Sequence, residues 1–172
     1  MRGIREALGI FRRYRVALFL LLFVLTASQT ALAENKGTQI NTKHIKWLDF
    51  SATKYSYERN LVRELEKEDI EEAEKLTKEK VKILIALEDI NGDGIRDVIA
   101  YFYHPYYCGS LGCSVEIYIN KKGKLSPINF AFVLPEPKIG IIKSKSYGWY
   151  DLIVMDSNGN YRKLKWNGKE YK

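Results

Sequence analysis

VKILIALEDINGDGIRDVIAYFYH, residues 81–104, shows the clearest structural pattern in the chain. Its two ends, VKILIALE and VIAYFYH, are rich in β-branched and aromatic residues, a composition typical of strands. The centre contains Asn91-Gly92-Asp93-Gly94, and residues of these types accept the backbone angles of a tight reversal. The stretch therefore predicts a β-hairpin with a polar tip.

Further strands are predicted after this hairpin. Short apolar runs separated by turn signals recur up to residue 166: SVEIYINK, PINFAFVL, KIGIIKS, YDLIVMD and NYRKLKW. Residues 57–80 are instead rich in helix formers, and Asp69 followed by Glu72 resembles a capping box where two short helices would meet. We therefore expect an α+β fold, in which an N-terminal helical segment packs on a mainly antiparallel meander sheet of five to seven strands.

The N-terminus has the three parts of a secretory signal peptide. A basic start is followed by the apolar run Val16–Ala27 and by a small-residue site ending at Ala33. The alternative is an uncleaved anchor, but a run of 12 residues is shorter than the ~20 that span a bilayer. We expect a signal peptide over residues 1–33, a flexible leader over 34–43, a single α+β domain over 44–172, and no stable membrane insertion after cleavage.

The charge of the chain is largely a targeting feature. The full sequence has 28 basic and 21 acidic residues, a net charge of +7. Residues 1–33 carry five arginines and one glutamate, which leaves 23 basic and 20 acidic residues and a net charge of +3. Without a dense basic cluster, this charge gives no reason to expect nucleic acid as a partner. The expected location is periplasmic or secreted.

The two cysteines lie in the segment HPYYCGSLGCSV. In an oxidising compartment, Cys108 and Cys113 are most simply a disulfide that fixes the shape of one exposed loop. Gly109 and Gly112 inside the ring both accept the positive φ angles that so short a ring demands. A redox pair or a metal pair are the alternatives. Redox motifs usually have two intervening residues, and a metal pair would need further ligands.

The tip of the hairpin has the oxygen spacing of a calcium loop. Asp89, Asn91, Asp93, the Ile95 carbonyl and Asp97 fall at positions one, three, five, seven and nine of such a loop. Position twelve is an alanine where an EF-hand needs a bidentate glutamate, and the flanks are strands, so an EF-hand is excluded. Calcium is the candidate ion. The alternative is a plain turn in which the first and last aspartates accept hydrogen bonds from backbone amides.

The D-x-N-G-D-G-x-x-D hairpin resembles the calcium loop of FG-GAP and VCBS-type repeats, which occur in exported β-propeller proteins. The wider pattern of this loop, a Cys-Gly-x-x-Gly-Cys loop and a Gly-x-x-Asp-Leu strand resembles a group of small exported bacterial proteins, mostly of unassigned function. The resemblance covers residues 81–172. One copy of the loop is too few for a propeller. The resemblance implies export and a calcium-stabilised hairpin, and it implies no activity.

Four residues near the cysteines are candidates for contact with a partner. Tyr106 and Tyr107 precede the ring, and Ser110 and Leu111 form its centre. Amphipathic aromatic rings are favoured at binding surfaces, although core packing is the alternative for the tyrosines. We expect a non-catalytic binding or accessory protein with an unknown protein or cell-envelope partner.

An envelope-acting hydrolase is the alternative function. It would use Asp93 or Asp97 as acid-base groups, and it predicts a cleft lined by two carboxylates in different environments. CGSLG imitates a serine nucleophile elbow, but both histidines of the chain, His44 and His104, lie upstream of Ser110. That order does not match the Ser, acid, His order of the fold that uses this elbow.

Overall fold

Strands dominate the computed structural model, which describes residues 42–128, 130 and 132–172. These residues belong to one compact unit, Ile40–Lys172. The signal peptide predicted over 1–33 lies outside them. The predicted leader enters them only at Thr42 and Lys43, which begin a short 3-10 helix, Thr42–His44. No helix in this part of the chain is long and apolar enough to cross a membrane.

Among the described residues, one short strand precedes two short α-helices, and the other strands follow. The helices are α1 (Ser56–Leu65) and α2 (Lys67–Thr77). The strands are β1 (Lys46–Trp47), β2 (Lys82–Glu88), β3 (Asp97–Tyr103), β4 (Cys108–Gly109), β5 (Gly112–Lys121), β6 (Lys124–Pro127), β7 (Phe132–Leu134), β8 (Ile139–Ser146), β9 (Trp149–Met155) and β10 (Tyr161–Leu164).

The strands form two antiparallel sheets. One sheet has the order β1-β8-β9-β10. The other contains six strands in the order β2-β3-β5-β4, with β6 and β7 also paired to β5. The predicted hairpin is β2 and β3, whose register runs from Lys82 opposite Tyr103 to Glu88 opposite Asp97. Strand β5 is the longest, and it is paired along both of its edges.

Strand β3 is buried on both faces, which explains its nearly continuous apolar sequence. Val98, Ala100 and Phe102 belong to a core cluster that includes residues of α1 and α2. Ile99 and Tyr101 belong to a second cluster that includes residues of the four-stranded sheet. Because successive residues of a strand face opposite sides, β3 joins two cores. The layers are therefore the helix pair, the six-stranded sheet and the four-stranded sheet.

The predicted α+β fold, with a helical segment packed on one meander sheet of five to seven strands, is wrong. The described residues are mostly β, with antiparallel sheets and two short α-helices. Each predicted run overlaps a strand. Strands β8 to β10, however, pair with one another and with β1, formed by Lys46 and Trp47, and none of them pairs with the six strands of the other sheet, so they form a second sheet. Local patterns cannot reveal this division, because it depends on pairing between segments distant in sequence.

Candidate functional site

The Asp-rich loop between β2 and β3 is closed around the carboxylate of Asp89. Oδ1 accepts hydrogen bonds from the backbone amides of Gly92 at 2.7 Å and Asp93 at 3.1 Å, and Oδ2 accepts one from Gly94 at 2.9 Å. Gly94 has φ +85°, a backbone angle that most residues adopt only under strain. The sequence forms this turn because Asp89 accepts hydrogen bonds from the three backbone amides and Gly94 accepts the positive φ.

Asn91 and Asp93 complete the exposed part of the loop. Asn91 Oδ1 accepts a hydrogen bond from the Asp93 amide at 2.9 Å, and its Nδ2 donates to Asp93 Oδ2 at 3.0 Å. Asp93 Oδ1 accepts one from the amide of Ile95 at 2.8 Å. These oxygens are hard donors of the kind that calcium prefers. Within the described residues, no group of three or more His, Cys, Asp or Glu side chains is arranged to hold a metal.

Asp97 lies apart from the exposed donors because it is fully buried. Its Oδ2 accepts a hydrogen bond from the Ile90 amide at 3.1 Å, and its Oδ1 accepts one from the Asn120 amide at 3.0 Å. Burial raises the pKa of Asp97 to about 6; the two amide bonds oppose this rise, and the charges of Asp93 and Asp89 add to it. Asp97 thus ties the loop to β5, while Asp93 is exposed at the tip, so the two acids of the hydrolase hypothesis differ in environment.

The predicted disulfide is confirmed. Cys108 and Cys113 are direct partners on β4 and β5, with their Cα atoms 3.9 Å apart. A disulfide is consistent with an extracytoplasmic protein. Of the two glycines in the ring, only Gly112 has a positive φ, at +129°. A Cβ on Gly112 would lie 2.2 Å from the backbone of Leu134, so this position also needs glycine for close packing. We name residues 108–113 the bridged loop.

The four candidate contact residues differ in exposure. Tyr106 and Leu111 are 45% and 57% exposed, and Ser110 is exposed as well. Tyr107 is instead half-buried, and its ring packs against Phe102 with centroids 5.0 Å apart. Burial raises the pKa of Tyr107 to about 12, and its buried hydroxyl has no hydrogen-bond partner among the described residues. Tyr107 therefore packs in the interior, and the other three residues face outward.

A groove that sequence reasoning missed lies beside the bridged loop. Its volume is about 310 Å³. We name it the Leu111 groove, and its lining residues are Leu111, Phe132, Val133, Leu134, Val154, Met155, Asp156, Ser157 and Arg162. Strand β7 of one sheet and strands β9 and β10 of the other contribute to it. Of these residues, the sequence analysis predicts a role only for Leu111, because no local pattern shows that these strands lie next to one another.

A polar cluster around the buried Asp151 on the four-stranded sheet is a second feature that the sequence analysis does not predict. Asp151 is only 1% exposed, and it accepts hydrogen bonds from Ser144 Oγ at 2.6 Å and Ser146 Oγ at 2.7 Å. Lys163 Nζ lies 2.8 Å from the same carboxylate. Burial alone would raise the pKa of Asp151, but the hydrogen bonds from these three neighbours outweigh it and lower the pKa. The aspartate of the Gly-x-x-Asp-Leu strand therefore joins β8, β9 and β10.

Comparisons with known proteins add no family to this description. No protein-family model, no curated protein and no solved structure matches the chain. The resemblance of residues 81–172 to small exported bacterial proteins therefore stays a prediction. The function must be inferred from the bridged loop, the Asp-rich loop and the groove.

Proposed function

We propose that this chain is an exported, non-catalytic binding or accessory protein that presents the bridged loop to a protein or cell-envelope partner. The observation that carries the proposal is the combination of a disulfide with exposed residues at the centre of its ring. Cys113 is buried in the core between the sheets, while Ser110 and Leu111 are exposed. The disulfide ring thus presents Ser110 and Leu111 to solvent from a loop that is attached to the core through Cys113.

Restraint of the loop supports a binding role. A loop that is already fixed loses less conformational entropy when a partner binds, and more of the contact energy then appears as affinity. Leu111 adds an exposed aliphatic side chain, and the nearby Tyr106 adds an exposed amphipathic ring. Such side chains supply contact area at a low entropic cost.

Two features support export. Disulfides persist in oxidising compartments and are rare in the cytosol. The sequence over 1–33 has the pattern of a signal peptide. We include a periplasmic or secreted location in the proposal on these grounds.

Calcium is the ion that we propose for the Asp-rich loop. Asp89, Asn91 and Asp93 would offer side-chain oxygens, and Ile95 would offer its carbonyl. Asp97 would contribute from the interior, where it orders the loop. Each carboxylate oxygen has more than one lone pair, so the hydrogen bonds to backbone amides leave acceptor capacity. The ion would stabilise the hairpin that precedes the bridged loop.

Photo-crosslinking tests the binding role. A photoreactive amino acid is placed at Leu111 of the exported protein, which is then irradiated in envelope extract of the source organism. The matched control carries the same group at Tyr57, an exposed residue of α1 on the helical layer. We expect a discrete adduct from position 111 that position 57 does not give. Equal patterns from the two positions would contradict the proposal.

A further inference from the structure

The Leu111 groove combines an apolar surface with a polar end. Leu111 is exposed on one side, and Val133, 44% exposed, lies on β7. Ser157 and Arg162 also line it, from the turn after β9 and from β10. A groove of this composition suits an occupant that has both aliphatic and polar groups.

Strand β7 lies at an edge of the six-stranded sheet. Its three residues pair with β5, from Cys113 opposite Leu134 to Val115 opposite Phe132. No other strand in the described part of the chain pairs with β7. The second edge of a strand presents backbone donors and acceptors in the spacing that an added strand requires.

The groove lining holds one cation, Arg162, and one acid, Asp156, and neither forms an ion pair with any residue that the structure describes. The guanidinium of Arg162 lies over the ring of Phe132, 5.8 Å from the centroid. Asp156 is the acid in the lining, and its Oδ1 accepts hydrogen bonds from the amides of Asn158 and Asn160, each at 2.9 Å. Charge complementarity therefore favours an occupant with a carboxylate opposite Arg162.

We propose that the Leu111 groove binds an extended peptide segment of a partner protein. The segment adds as a strand to the free edge of β7, sets aliphatic side chains against Leu111 and Val133, and places an aspartate or glutamate against Arg162. Main-chain hydrogen bonds supply affinity in this mode of recognition, and the side-chain contacts supply specificity. The inference rests on the proposed function, because it names the chemistry of the partner that meets the bridged loop.

A random peptide library displayed on phage tests this inference. The purified exported protein is the target, and the expected binders combine alternating aliphatic residues with Asp or Glu. One selected peptide is then measured by fluorescence anisotropy. Arg162→Glu should weaken its binding at least about tenfold, the effect of turning a charge-assisted contact into repulsion. Val133→Lys should weaken it as well. Lys165→Glu, the same change of charge at an exposed site outside the groove lining, should leave affinity unchanged.

Charge exchange sharpens the test. The selected peptide with Lys in place of its acid should bind the Arg162→Glu protein more tightly than it binds the wild type. Equal affinity of a scrambled peptide, insensitivity to Arg162→Glu, or a library that yields no binder would overturn the inference. If Leu111 gives a specific adduct but any of these three results is found, the groove is ruled out as a peptide site, and the proposed binding role of the bridged loop is retained. Acid-dependent peptide binding without that adduct supports strand addition at β7 with the acid against Arg162, and it removes Leu111 and the rest of the bridged loop from the contact.

Discussion

The backbone amide of Asn120 donates a hydrogen bond to Asp97 Oδ1 at 3.0 Å, and this bond crosses from β5 to the first residue of β3. The other oxygen of the same carboxylate accepts a hydrogen bond from Ile90. Ile90 in turn accepts a hydrogen bond at its carbonyl from the amide of Tyr150, on the four-stranded sheet, at 2.9 Å. The base of the Asp-rich loop is therefore a junction between the two sheets, whether or not its tip binds an ion.

Asp97 should make stability depend on pH. Its pKa is raised from 3.8 to about 6 in the folded protein, so the folded state holds this proton more tightly than the unfolded chain does. The stabilisation of the folded state by this bound proton is complete below pH 3.8, and it is lost as pH rises through about 6. In urea melts between pH 3 and 8, the free energy of unfolding attributable to Asp97 should fall over that window.

Asp97→Asn isolates this effect from the other titrating groups. The variant keeps the shape of the side chain but cannot ionise. Its amide turns a donor toward one of the two backbone N–H groups, which should cost about 1–3 kcal/mol. The difference between wild type and variant should vary with pH from 4 to 6 and be flat above 7. A difference that is flat over the whole range would contradict the raised pKa.

Glu74 should show the opposite dependence. Its carboxylate accepts hydrogen bonds from Lys80 Nζ at 2.5 Å and Arg63 at 2.7 Å, and these lower its pKa from 4.5 to about 2. The stability it provides is present above pH 4.5 and is lost as pH falls through 2. Glu74→Gln should therefore cost about 1 kcal/mol at pH 7, in the range of partly exposed ion pairs, and less below pH 3. Glu71→Gln on the same helix is the matched control and should cost little in urea melts.

The disulfide should stabilise the fold without being essential to it. Thiol titration of the purified exported protein should find no free cysteine. The double variant Cys108→Ser and Cys113→Ser should still fold and lose about 2 kcal/mol, because the closed ring is short. Denaturant melts measure the loss. An unfolded double variant would mean that the bridge holds β4 and β5 together in a way that chain entropy does not explain.

Calcium should raise the melting temperature if the Asp-rich loop binds it. Binding to the folded state stabilises by mass action, and the rise should extend into the millimolar range that extracellular modules use. Magnesium should act more weakly, because it gives up its waters reluctantly. Asp93→Ala should abolish the calcium response and cost little in chelator, since Asp93 is exposed.

Gly94→Ala provides the comparison for the calcium test. An alanine at φ +85° meets no neighbouring atom within 4 Å, so its cost is backbone strain of roughly 1 kcal/mol. If the loop only makes a turn, melting will ignore calcium, and Gly94→Ala will be more damaging than Asp93→Ala in every buffer. That order of the two variants, measured in chelator and in calcium, separates an ion site from a turn.

The local features could be predicted from the sequence, and the contacts between distant segments could not. The hairpin of β2 and β3 follows from two strand-forming runs and a turn between them. The disulfide follows from two nearby cysteines. The sequence does not show that β8, β9 and β10 form a sheet separate from β5 and its neighbours, or that Lys46 and Trp47 pair with β8. The Leu111 groove depends on β7 meeting β9 and β10. The unbroken apolar sequence of β3 indicates a strand buried on both faces, because a strand with one solvent-exposed face would alternate apolar and polar residues.

The two glycines of the bridged loop should have different evolutionary freedom. Gly109 has open space where a Cβ would point, whereas a Cβ on Gly112 would overlap the backbone of Leu134 and the nitrogen of Pro135. Neither obstacle is the tip of a side chain that can turn aside. Among natural variants of this chain, position 109 should accept alanine or serine, and position 112 should stay glycine even where the exposed residues 110 and 111 diverge to follow a changing partner.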